Sequence, residues 1–274
     1  MPDHAATYPP DAHSDPSFPK KIPMSEGLMQ MFQGFIPYLI DFAGVQDDPW
    51  NIGDEPIFSQ WVGYLKSVLK GDLGEVAHRP VIILNSQYQL TLWRDSIATR
   101  ALLHLTDALD ALPTPEDRKQ WVLDRLYLHD TSPRCLPLYF RKIKNSKGLR
   151  VRVDIYQAPI VASAFSLHLH IIGDIPQHLR MPRMAVGALI LSLQASLRAA
   201  ELWRSGQRAA PPHRLFEDNN GEASYHLSQI KTYEGKGKSW DDVICIARRY
   251  MIEEDPRDYR LLSPYDAEEE STSG

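Results

Sequence analysis

The chain has 274 residues, 43% of them hydrophobic, enough to bury a sizeable core as one large domain or one domain with a small appendage. Its 30 Lys+Arg against 35 Asp+Glu give a formal net charge of −5, which excludes a global attraction to nucleic acid or to an anionic membrane. Two distant cysteines, Cys135 and Cys245, exclude a disulfide framework and fit a reducing, intracellular setting, cytoplasmic or nuclear rather than secreted.

Residues 1–24 carry six prolines and few large apolar groups, the composition of an extended or disordered arm. This arm lacks the apolar core of a signal peptide, and its early acids argue against a transit peptide. From Met24 the pattern turns helical. Leu28, Met31, Phe32, Phe35 and Leu39 recur at helical spacing after Ser25, a natural N-cap, and Pro37 is expected to kink or end the helix early. A second helix is predicted from about Pro56 to Lys70, capped by Asp54 and stopped by Gly71. "RPVIILN", bounded by Pro80 and Asn85, reads as a short buried strand.

Helical spacing resumes at Leu92, Ile97, Ala101, Leu105 and Leu109 and ends before "PTP". Thr114 and Pro115 open a further helix, with Trp121, Leu123 and Leu126 directed at the core. At Pro133 the pattern becomes β. Two runs flank the turn formers Asn145 to Gly148, and the second alternates Val151, Val153 and Ile155 with Arg150, Arg152 and Asp154. This predicts a β-hairpin at about 135–157, with a third strand after Pro159. A long helix follows from about Pro182 to Ser205. Its apolar stretch is interrupted by Ser192, Gln194, Ser196 and Arg198, so it reads as a buried helix and not as a membrane span. After a loop of turn formers, a last helix starts at Ser239 with Asp241 and Asp242 in its first turn. Residues 263–274 form an acidic tail. The expected class is α+β: a predominantly helical domain at 25–262 with a central antiparallel β-hairpin or small sheet.

Two patches carry the chemistry of the chain. In "SAFSLHLHIIGD" an extended backbone would put Ser166, His168 and His170 on one face, with His178 or Asp174 as a third metal ligand. His168 and His170 also resemble two of the three alternating histidines of histidine-triad nucleotide hydrolases. Ile172 stands at the third position, and that departure leaves the family's function behind. The plain alternative is a half-buried strand with histidines on its wetter side. Neither a nucleophile elbow nor a P-loop occurs elsewhere; Gly235 and Gly237 lack the P-loop spacing.

The second patch is the hairpin. From Arg134 to Arg152 the basic residues are Arg134, Arg141, Lys142, Lys144, Lys147, Arg150 and Arg152, with no acid among them. These seven leave 23 Lys+Arg against 35 Asp+Glu elsewhere, a +7 segment on a −12 remainder. Such a ribbon suits nucleic-acid phosphates, an acidic protein or a second copy of the chain. The plain alternative is a solvated strand pair guarding a β-edge. The leading expectation is a non-enzymatic intracellular interaction or assembly protein, needing no cofactor, that binds an acidic partner through this ribbon. Its rival is a small metal- or phosphoester-dependent hydrolase using His168 and His170.

Overall fold

The computed structural model describes residues 21–69, 79–126, 138, 140–146, 149–204, 222–235 and 240–252. Most of the arm and the acidic tail lie outside these residues. The elements run α1 (Glu26–Gly44), α2 (Asp54–Leu69), α3 (Arg79–Asp110), α4 (Pro115–Leu126), β1 (Phe140–Ser146), β2 (Leu149–Ile155), α5 (Pro159–Ile171), α6 (Val186–Arg204), α7 (Glu222–Gly235) and α8 (Asp241–Ile252). The body is predominantly helical, and its β-structure is one two-stranded antiparallel sheet among the described residues.

The core forms around α5, which packs against α1, α3, α6 and α8. Every residue from Ile160 to His168 is buried. A helix apolar on nearly every side belongs inside a protein, and its sequence then has no polar face to mark the period. That is why the expected third strand is a helix instead. Pro159 sits in its first turn, where a missing N–H costs nothing. Hydroxyls in this interior are hydrogen-bonded: Ser166 donates to the Ser163 carbonyl at 2.7 Å, and Ser192 and Ser196 donate to the carbonyls four residues back.

"RPVIILN" is likewise not a strand. It forms the first turns of α3, a helix of 32 residues and therefore about 48 Å long. Ile82, Leu90, Trp93, Ile97, Ala101, Leu105 and Leu109 continue one buried stripe along it. Pro80 starts the helix instead of bounding a strand, and Asn85 does not stop it. The Asn85 amide donates to the carbonyls of Val81 and Ile22, and its oxygen accepts the Ile22 N–H at 3.2 Å, clasping the chain ahead of α1. Pro37 lies inside α1 and does not end it; Phe35, Leu39, Ile40 and Ala43, buried on both sides of it, outweigh the one forfeited hydrogen bond.

Other boundaries follow local chemistry. Thr114 Oγ1 accepts the Asp117 N–H at 3.1 Å and donates to the Asp117 carboxylate, a reciprocal cap for α4. In α4 it is Val122 that is fully buried, with Trp121, Leu123 and Leu126 only partly so. The end of α1 and the start of α6 cross at small residues. A β-carbon on Gly187 would meet the carbonyl oxygens of Gln46 at 2.6 Å and of Ala43 and Gly44 at 3.1 Å. No helix among the described residues is long and apolar enough to cross a membrane.

Candidate functional site

The hairpin pairs Phe140 with Ile155, Lys142 with Val153, Ile143 with Arg152, Lys144 with Val151, Asn145 with Arg150 and Ser146 with Leu149. In these six pairs no cation stands opposite another. Like charges directly opposite destabilise a ladder, so this register lets one ribbon hold many cations. Alternate ladder positions belong to opposite faces. Positions 142 and 144 therefore fall in one set with the valines, and 150 and 152 fall in the other. Basic positions thus fall in both sets. No described strand extends it and no described helix packs along its length. Arg141 is exposed, whereas Arg134 and Lys147 lie outside the described residues.

The ribbon is held at its foot. Phe140 and Ile155 are partly buried against the core, and Tyr156 is fully buried. Tyr156 packs edge-on to Tyr233 of α7 at 5.5 Å and stacks with Trp240 at 6.0 Å. Asp154 and Tyr156 have φ of 59° and 61°, a left-handed backbone that costs most residues energy. Burial of the Tyr156 ring holds this bend, which turns the chain from the ribbon into α5. Phe140 is part of this anchor.

The histidine patch comes out differently. In α5, residues two apart are separated by roughly 200° around the axis, so His168 and His170 do not share a face. His168 is fully buried and His170 only partly. The His168 ring lies 5.7 Å from Trp93 and 6.1 Å from Phe165, hard against Gly44. Neither of its nitrogens has a hydrogen-bond partner among the described residues, and burial pushes its pKa down to about 3. It is neutral throughout the physiological range. His178 and Asp174 are exposed, on a segment that Arg180 fastens by donating to the carbonyls of Gly173 at 2.6 Å and Ile175 at 2.9 Å. The expected cluster of His168, His170, His178 and Asp174 does not assemble, and no group of three His, Cys, Asp or Glu side chains among the described residues is placed to hold a metal ion. The alternation read as a strand was the coincidence of two histidines on an otherwise apolar helix.

Residues with marked electrostatics lie elsewhere. Arg94 donates to the Pro49 carbonyl at 2.7 and 3.2 Å and lies over the Trp50 ring at 5.3 Å. The Trp50 indole N–H donates to the Gln194 oxygen at 3.1 Å, and Gln87 donates to the Ile52 carbonyl. Burial lowers the Arg94 pKa to about 10 and raises that of Asp95 to about 7. The arrangement braces the loop between α1 and α2 and brings no nucleophile with it. Its partners are 35 to 144 residues apart in the chain, and no local motif marks them.

Compared with known proteins, the chain matches no family model, no curated protein and no solved structure.

Proposed function

We propose that this protein is an interaction protein whose basic β-ribbon binds a polyanionic partner, and that nucleic acid is that partner. The observation that supports the reading is the ribbon's register, which sets basic positions on both sides of a two-stranded element that no further described strand extends. A groove has two phosphate walls, and a ribbon basic on both sides can address both. A flat acidic patch on a protein would engage only one face. A major groove is about 12 Å wide and admits a two-stranded ribbon. Backbone phosphates need charge and position but no particular base, so the absence of acids from Arg134 to Arg152 matters more than any single contact.

Fluorescence anisotropy of the full chain with labelled duplex and single-stranded oligonucleotides tests the reading. Salt-sensitive binding by the wild type, abolished by combined Lys142→Glu, Lys144→Glu and Arg152→Glu with unchanged circular dichroism, is the expected result. Equal binding by the reversed variant overturns it. Absence of oligonucleotide binding alongside salt-sensitive self-association in sedimentation transfers the ribbon to contacts between copies of the chain.

A further inference from the structure

Where the ribbon meets the body, α3, α4 and the start of α5 enclose a cleft of about 230 Å³. Its walls are largely apolar, with Trp121, Leu138, Phe140 and Ile160 among them, and Arg125, Arg141 and His104 border it as well. No carboxylate lines it among the described residues. We propose that this cleft binds a small planar anion, a single aromatic ring bearing one carboxylate or phosphate.

Size limits the ligand first. Pockets for drug-sized ligands and cofactors span roughly 300–1,000 Å³, so this one takes one substituted ring and excludes a dinucleotide. Chemistry limits it further. The Arg125 guanidinium lies 3.6 Å from the centre of the Trp121 ring and donates to the Trp121 carbonyl at 3.2 Å. Those contacts set its plane, and a guanidinium plane is a surface on which a flat ring stacks. Arg141, exposed at the base of β1, brings a second fixed positive charge to the rim.

A third positive feature comes from the backbone. Ala158 and Pro159, which line the cleft, begin α5. Ala158 at the N-cap offers no side-chain acceptor of its own, and the positive end of the helix begins at this wall. His104 completes the lining. Burial lowers its pKa, so near neutrality it offers one N–H donor and one acceptor. Apolar walls with two guanidinium groups and a helix start on one cavity call for a ligand apolar over most of its surface and anionic at one point.

Ring and phosphate also occur together in a nucleotide, so the probes separate the sources. Isothermal calorimetry and saturation-transfer NMR on the full chain would use benzoate, phenyl phosphate and adenosine monophosphate, with benzamide as the neutral match to benzoate. Benzoate or phenyl phosphate is expected to bind roughly tenfold or more tightly than benzamide, the size of a charge-assisted hydrogen bond. Arg141→Gln should weaken the anion roughly tenfold by the same account. Ala108→Trp, which fills the cleft from α3, should abolish binding while circular dichroism stays unchanged. Four results overturn the proposal: binding of the nucleotide with neither benzoate nor phenyl phosphate bound, equal affinity for benzoate and benzamide, undiminished binding in Ala108→Trp, or no probe binding with a Kd below about 10 mM.

Discussion

His168 is a polar ring in an apolar interior, and its cost depends on pH. Its pKa in the folded chain is about 3 against an ordinary 6.5, and His226, also buried, is lowered to about 4. Between pH 6.5 and those values the unfolded chain takes up protons that the folded chain refuses, so both histidines remove stability as pH falls. Asp95, raised by burial to about 7, has the opposite sign: the folded chain keeps a proton that the unfolded one has released, which adds stability as pH falls from about 7 toward 3.8. The wild-type profile is therefore a partial cancellation, and a variant isolates one contributor. Relative to wild type, His168→Leu should gain about 1.4 kcal/mol for each pH unit below about 6. Denaturant titrations at pH 7.5, 6 and 4.5 check this; a constant difference across pH would mean that the ring is already protonated or solvated.

At the scale of elements, the α1–α6 crossing and the ribbon foot show two ways of placing a backbone. The crossing depends on the missing side chain of Gly187, whose neighbours are carbonyl oxygens of α1 and the residues after it that cannot swing aside. Gly187→Ala should cost about 1–3 kcal/mol, the range for overpacking a tight site. Gly63, in α2, is the contrast: a β-carbon there meets nothing within 4 Å. Gly63→Ala should stabilise by about 0.5–1 kcal/mol through helix propensity alone. Chemical denaturation of the two variants measures both signs. The ribbon foot uses a large buried ring instead, with Tyr156 locked between Tyr233 and Trp240. Truncating a buried aromatic costs about 3–5 kcal/mol, and Tyr156→Ala should pay that and release the ribbon, seen as faster proteolysis between β1 and α5.

For the whole molecule, the governing feature is a +7 segment on a −12 remainder. If the ribbon binds duplex DNA, the log of affinity should fall against the log of salt with a slope of about −3 to −6, near −0.9 per neutralised phosphate. Lys142→Gln, Lys144→Gln and Arg152→Gln together should reduce the slope's magnitude by up to about 3. A salt-independent affinity would assign any binding to apolar contact.

Much of this molecule was legible before folding. Amphipathic spacing marked α1 and the second half of α3, cap and stop residues marked α2, the turn formers marked the hairpin, and the segregation of charge needed only counting. What the chain alone misassigned shares one physical cause. α5 is buried on nearly all sides and the start of α3 is a short apolar run with Leu84 exposed among buried Ile82 and Ile83, so in neither does a polar face mark a period to separate helix from strand. α7 passed unnoticed for the converse reason, since His226 and Ile230 are the buried residues in an otherwise polar helix. The fate of His168, the brace around Arg94 and the cleft below the ribbon depend on residues far apart in the chain. Tertiary packing alone decided them, because local sequence determines what a segment prefers and the rest of the fold determines what it touches.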